Sequence, residues 1–103
     1  MKILLVCAAG MSTSLVVNKM KAALTPEQQD WVIEAHPIEN LDYLIDQFDV
    51  VLLGPQVSFK LRRIKQRFED TGKPIDVIPS TDYSLGNGKN IINHAIKLYE
   101  GAK

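Results

Sequence analysis

Four short apolar runs mark the chain, at residues 3–6, 31–35, 50–53 and 75–78. Three of them are nearly continuous in apolar character instead of alternating, which is the pattern of strands covered on both faces. Longer amphipathic stretches separate them. Leu15, Val16, Met20, Ala23 and Leu24 form one stripe, and Leu41, Leu44, Ile45 and Phe48 a second. Val57, Leu61, Ile64 and Phe68 follow at spacings of four, three and four, and Ile91, Ile92, Ala95, Ile96 and Tyr99 close the series. Each set keeps the helical period with polar residues between, so each predicts an amphipathic helix.

The turn residues fall where such elements should stop. Thr25-Pro26 closes the first helix, Gly54-Pro55 separates the third strand from its helix, and Gly72-Lys73-Pro74 ends that helix. A β-α-β-α-β-α-β-α alternation predicts an α/β fold of three layers: a parallel sheet flanked by helices on both faces. Right-handed crossovers around one core favour four strands in the order 2-1-3-4. In such sheets ligands bind beyond the carboxyl ends of the strands, where the strand order reverses. Here that point lies beside the first strand, and the loop leaving it starts with Cys7.

Composition narrows the partners. The length of 103 residues and the 46% hydrophobic content predict a single domain, 1–103, with a real core. Lys plus Arg and Asp plus Glu number twelve each, so there is no overall basic field of the kind that nucleic-acid binding needs. No segment reaches the ~20 apolar residues of a membrane-spanning helix. The apolar run at residues 3–6 is also shorter than the ~7–15 residues of a signal-peptide core, so a cytoplasmic location is expected. A single cysteine excludes an internal disulfide and offers no zinc cluster. No metal or organic cofactor is implied.

The segment Cys7-Ala8-Ala9-Gly10-Met11-Ser12-Thr13-Ser14 carries the chemistry. A cysteine at a strand end, facing the next helix N-terminus, lies at the positive end of the helix dipole, which favours the nucleophilic thiolate. Ala8, Ala9 and Gly10 let the backbone approach a ligand closely, and successive N–H groups form an anion cradle. Ser12, Thr13 and Ser14 add hydroxyl donors and a helix N-cap. A nucleophile among oxyanion donors is the equipment of transient phosphoryl capture. The plainer reading is a small apolar core cysteine followed by an ordinary capped helix.

The run CAAGMSTSLVVNKM at residues 7–20 resembles the active-site loop and first helix of the IIB component of the bacterial phosphoenolpyruvate-dependent sugar phosphotransferase system, in its lactose/cellobiose/diacetylchitobiose type. VVLLGPQV at residues 50–57 resembles a second stretch of that family, and the likeness extends over essentially the whole chain. The resemblance implies the four-stranded parallel sheet and a phosphocysteine at Cys7. It implies that Cys7 takes a phosphoryl group from a phosphohistidine on a IIA component and passes it to a disaccharide bound by a membrane IIC component. The activity implied is that of a protein-phosphocysteine–sugar phosphotransferase, with residues 8–14 holding the phosphate.

The rival reading is a hydrolase like the low-molecular-weight tyrosine phosphatases, which share this topology and carry a Cys-x5-Arg-Ser/Thr loop. Five residues beyond the cysteine, Thr13 stands where that arginine belongs, and with it goes the bidentate grip on phosphate. Asp82-Tyr83 is expected in a turn instead of acting as general acid, and Gly86-Asn87-Gly88-Lys89 in a turn before the last helix. A receiver domain is excluded because no aspartate ends the third strand, and a redox enzyme because no second cysteine exists. Gln56 and Tyr83 are candidates to support the site from outside the loop, with helix capping the alternative for Gln56. His36, in a loop, and His94 are expected to be solvated. Lys60, Arg63 and Arg67 share one side of the third helix, a solvated face or a docking surface. Met11 at the loop tip suits a transient protein contact.

Overall fold

Side chains alternate across a pleated strand, so an unbroken apolar run supplies both faces of a sheet at once. The computed structural model describes residues 1–7 and 13–102 and shows both sets in use. In β1 (Lys2–Cys7), Ile3 and Leu5 join one apolar cluster while Leu4 and Val6 join another. β3 (Val50–Leu53) divides in the same way, Val50 and Leu52 against Val51 and Leu53. All eight side chains are completely buried.

β2 (Val32–Pro37) and β4 (Ile75–Val77) complete the sheet, which is parallel throughout in the expected order β2-β1-β3-β4. α1 (Thr13–Ala22) and α5 (Gly88–Gly101) cover the face of Ile3 and Leu5. α2 (Leu41–Leu44) and α3 (Leu61–Arg67) cover the face of Leu4 and Val6. Among the described residues, no helix is long and apolar enough to cross a membrane.

Several expectations need correction. Leu15 does not belong to the buried stripe of α1. It is 62% exposed, and Val16, Val17 and Met20 face the core. The second helix is broken, with 3-10 turns at Ile38–Asn40 and Ile45–Gln47 around one turn of α-helix. Buried Leu41, Ile45 and Phe48 hold it in place, and no side chain caps any of its three pieces. His36 and Pro37 are strand residues, paired with Val6 and Cys7. A terminal proline is tolerated there because β2 is an edge strand and loses no ladder bond.

Asp82 and Tyr83 are not in a turn but in an additional helix, α4 (Ser80–Leu85), which adds buried Tyr83 to the α1/α5 cluster. Of the four residues expected to form the next turn, Gly86 ends α4 in the left-handed region at φ 63°. Asn87 caps α5, its side chain accepting from the Asn90 N–H, and Gly88 and Lys89 are already helical. His94 is half-buried, its Nε2 atom 3.3 Å from Asp76 Oδ2.

Candidate functional site

The register places the exits of β1 and β3 side by side. Val6 pairs with Leu53, and the Gly54 N–H donates to the Val6 carbonyl at 2.9 Å, one residue past the end of β3. Strand alternation puts Cys7 on the same face as Ile3 and Leu5, and Gly54 on the same face as Val50 and Leu52. Both therefore meet on the α1/α5 side, at the carboxyl edge of the sheet and at the switch point between β1 and β3. Cys7 is 2% exposed, yet it stands outside both apolar clusters formed by the described residues.

Gly54 explains how a third group fits there. A Cβ on Gly54 would lie 3.4 Å from Cys7 Cβ and only 2.8 Å from Gln56 Oε1. The missing methyl leaves a space that Gln56 Oε1 and Cys7 Cβ border together. Gln56 is held by the 3-10 turn Pro55–Lys60, which opens with the Val57 N–H donating to the Gly54 carbonyl at 3.0 Å. It caps nothing: neither the turn nor α3 has a side-chain cap. The sequence singled out Gln56 but not Gly54, although a glycine at a strand end often marks a close approach.

The remaining candidates divide. Ala8, Ala9, Gly10, Met11 and Ser12 lie outside the described residues. Thr13 opens α1, the helix that packs on the face of the sheet to which Cys7 belongs. Ser14 is exposed and lines a groove toward the β2 edge with Asn18 and His36, whose Nε2 is 2.9 Å from Glu34 Oε1. Tyr83 and Gln56 share the wall of one cleft of about 420 Å³ between α1 and α4. Asp82 faces a different task, its Oδ1 accepting from Asn90 Nδ2 at 3.1 Å across the α4–α5 junction. Lys60, Arg63 and Arg67 line a groove on the opposite face of the sheet, where Arg67 pairs with Asp42.

The sequence and the fold are shared with known proteins. A family model described as "PTS system, Lactose/Cellobiose specific IIB subunit" matches residues 2–94. The galactose-specific EIIB component of Lactococcus lactis subsp. cremoris is 39% identical over 101 residues, covering 93% of this chain and 94% of the relative. The cellobiose-specific EIIB component of Lactococcus lactis subsp. lactis matches to the same extent. The oligo-beta-mannoside-specific EIIB component of Bacillus subtilis is 32% identical, with 94% of each chain covered. Equal likeness to a galactose-named and a cellobiose-named protein singles out no sugar. Among solved structures, a cellobiose-specific IIB protein from Borrelia burgdorferi superposes with a TM-score of 0.81 at 37% identity, covering 100% of this chain and 94% of that one. A lactose-specific IIB domain from Streptococcus pneumoniae shares the fold at a TM-score of 0.79 and 16% identity, covering 92% and 96%.

Proposed function

The chain belongs to the lactose/cellobiose-specific IIB family of the sugar phosphotransferase system, a family of phosphotransferases, and on that premise we propose that Cys7 is its phosphoryl carrier. The observation that carries the reading is the meeting of Cys7, Gly54 and the Gln56 amide at the sheet's switch point. In the first step the Cys7 thiolate attacks phosphorus on the phosphohistidine of a IIA donor. The S–P bond forms as the P–N bond breaks, and the imidazole nitrogen keeps the electron pair. In the second step a hydroxyl oxygen of a disaccharide of the cellobiose, chitobiose or lactose class, held by a membrane IIC component, attacks the same phosphorus. The S–P bond breaks, the thiolate is recovered, and the hydroxyl proton leaves to a base on the acceptor side. Both steps take place on the cytoplasmic side of the membrane.

Backbone N–H groups of residues 8–14 hold the phosphoryl oxygens, supplemented by the hydroxyls of Ser12, Thr13 and Ser14. Gln56 borders the space at Gly54 with Oε1 and carries a further donor in its Nε2 from outside the loop, and Tyr83 stiffens the wall behind it. An amide is a suitable neighbour for a carrier. It binds oxyanions but cannot take a proton from water, so it adds no hydrolytic base. The tyrosine-phosphatase alternative lacks support on two counts: Thr13 replaces the loop arginine, and the Asp82 carboxylate is engaged with Asn90.

The test is to incubate the protein with phosphoenolpyruvate, the general transfer proteins and the IIA donor, then locate the label by mass spectrometry. One phosphoryl group on Cys7, discharged by IIC vesicles and sugar, is the expected result. A label on His36 or His94, or rapid turnover of an aryl phosphate by the protein alone, would overturn the proposal.

Gly54→Ala probes the shared space. The new methyl must push the Gln56 amide aside and press on Cys7, while the flexible glutamine end can move at small cost in stability. The phosphorylation rate is expected to fall roughly 10- to 100-fold, the range set by small misplacements at a reacting centre. The thermal midpoint, followed by circular dichroism, should change by no more than a few degrees, on the order of 1 kcal/mol.

A further inference from the structure

A second cleft lies at the far edge of the sheet from Cys7. Trp31, Met1 and Asp49 immediately precede β2, β1 and β3, so in a parallel sheet of this order they stand in a row along its amino edge. Hydrogen bonds fix the row: the Val32 N–H donates to the Met1 carbonyl at 3.1 Å, and the Lys2 N–H to Asp49 Oδ2 at 2.8 Å. Ile96 and Tyr99, one turn apart on α5, and Gln28, from the 3-10 turn Pro26–Gln28, close a cleft of about 470 Å³ with them. All six residues are half-buried. Met1, Trp31, Ile96 and Tyr99 pack on the Ile3/Leu5 cluster and still line the cleft. The length of β1 separates this site from Cys7 by roughly 20 Å. Its polar atoms are only partly used. Gln28 Oε1 accepts from the Thr25 N–H at 3.0 Å, and Asp49 Oδ2 is taken by Lys2. Among the described residues, nothing bonds Gln28 Nε2, the Trp31 indole N–H or Asp49 Oδ1, and Asp49 is the only charged side chain lining the cleft. Two unspent donors and one unspent acceptor therefore stand beside two aromatic rings.

We propose that this amino-edge cleft binds a neutral sugar: the C–H face of a pyranose ring lies against the aromatic wall of Trp31 and Tyr99, and its hydroxyls bond Gln28 Nε2 and Asp49 Oδ1. A hydroxyl both donates and accepts, so a polyol satisfies an amide donor and a carboxylate oxygen together. A pyranose adds a rigid apolar face, which aromatic rings bury well. The cleft volume falls within the ~300–1,000 Å³ of small-molecule sites. A phosphorylated sugar or a nucleotide is the poorer fit, because its charge would meet Asp49 with no cationic side chain among the described lining residues. An organic cation would suit the rings and Asp49 but would leave the Gln28 and indole donors without an acceptor. The site is too far from Cys7 to hold a sugar for transfer, and the inference stands independently of the reading of that residue.

Trp31 is the only tryptophan of the chain, so its emission reports on the cleft directly. The full chain is titrated with cellobiose, and the amide and indole resonances are followed in parallel by two-dimensional NMR. A saturable change in Trp31 emission is expected, with resonance shifts at Gln28, Trp31, Asp49, Ile96 and Tyr99 and none at Gly54 or Gln56. Tyr99→Ala should weaken cellobiose binding about tenfold, and Gln28→Ala about threefold or more, with circular dichroism confirming the fold. Gln28 sits on a turn with no buried residue, so its variant keeps the test decisive if Tyr99→Ala fails to fold. Three control ligands decide the chemistry. Mannitol has the hydroxyls without the ring, choline is a cation, and glucose 6-phosphate is an anion. Each should bind at least about tenfold more weakly than cellobiose. The proposal is overturned by the absence of a saturable response to cellobiose, or by shifts centred on Gly54 and Gln56. Unweakened binding in a folded variant overturns it as well, and so does a control ligand that binds within tenfold of cellobiose.

Discussion

Cys7→Ser is expected to lose at least on the order of 10⁴-fold in the rate of phosphoryl transfer, the scale on which removing a nucleophile acts. The two side chains differ little in size, so the loss is chemical. A serine hydroxyl is protonated at neutral pH and needs an adjacent base to attack phosphorus, whereas a thiol supplies its own thiolate. The Gln56 amide, which borders the same space at Gly54 as Cys7 does, cannot serve as that base. A phosphoserine, if formed, would also be a poor leaving group for the sugar step. Because position 7 is 2% exposed, the new hydroxyl enters a buried place and carries a folding cost of about 1–3 kcal/mol if it finds no partner. Cys7→Ala avoids that cost and should show the same loss of transfer, with a thermal midpoint close to that of the wild type. Stopped-flow or quenched transfer from phosphorylated donor measures the rate, and circular dichroism measures the fold. A label retained by either variant would remove Cys7 from its role.

What the chain states openly is its layering. Ile3, Leu4, Leu5 and Val6 cannot all be buried by a sheet packed on one side, so the unbroken run already demands two apolar faces. The parallel order then follows from the lengths of the connecting helices, and the switch point puts Cys7 at the functional edge. Where the reading slipped, the deciding contacts were tertiary. Periodicity finds a helical stripe but not its phase: Leu15 and Val16 are neighbours, and packing against α5 and the sheet selects Val16 and leaves Leu15 outside. α4 escaped because six residues with one buried side chain, Tyr83, give no repeat to detect. It exists because Gly86 terminates it and Asn87 restarts the chain as α5. His36-Pro37 looked like a loop because proline is foreign to central strands, and nothing local says that β2 is an edge. Gln56 was visible as a polar residue past a strand end. The space it shares with Cys7 was not, since it depends on the absence of one methyl group on Gly54. Of residues 8–14, to which the sequence assigns the anion cradle, residues 8–12 lie outside the described residues.

Gly88→Ala should produce the largest loss of stability among substitutions of the described glycines, and the reason lies between two helices instead of within one. At the first turn of α5 the backbone runs directly against α1. A Cβ on Gly88 would lie 2.2 Å from the Lys19 carbonyl oxygen and 2.7 Å from the Met20 amide nitrogen. Those are backbone atoms, so no side chain can swing away, and one helix must shift. Alanine gains up to about 1 kcal/mol in helix propensity over glycine, less at a helix start. Overpacking against a fixed neighbour costs about 3 kcal/mol or more. The net loss lowers Tm on the order of 10–20 °C in a domain of this size. Two controls isolate the cause. Gly101→Ala sits at the other end of the same helix with open space around its Cβ, and should leave Tm unchanged or slightly raised. Gly72→Ala also has open space but a φ of 70°, so it should lose only the 1–2 kcal/mol of a left-handed alanine. The same contact reaches the site. α1 carries Leu15 and Lys19 on its exposed side and follows directly from the Cys7 loop, so displacing Lys19 and Met20 moves the helix N-terminus with them. Gly88→Ala is therefore expected to slow phosphoryl transfer per folded molecule as well, measured well below its lowered Tm. Full transfer activity together with wild-type stability would show that α1 and α5 do not meet at Gly88.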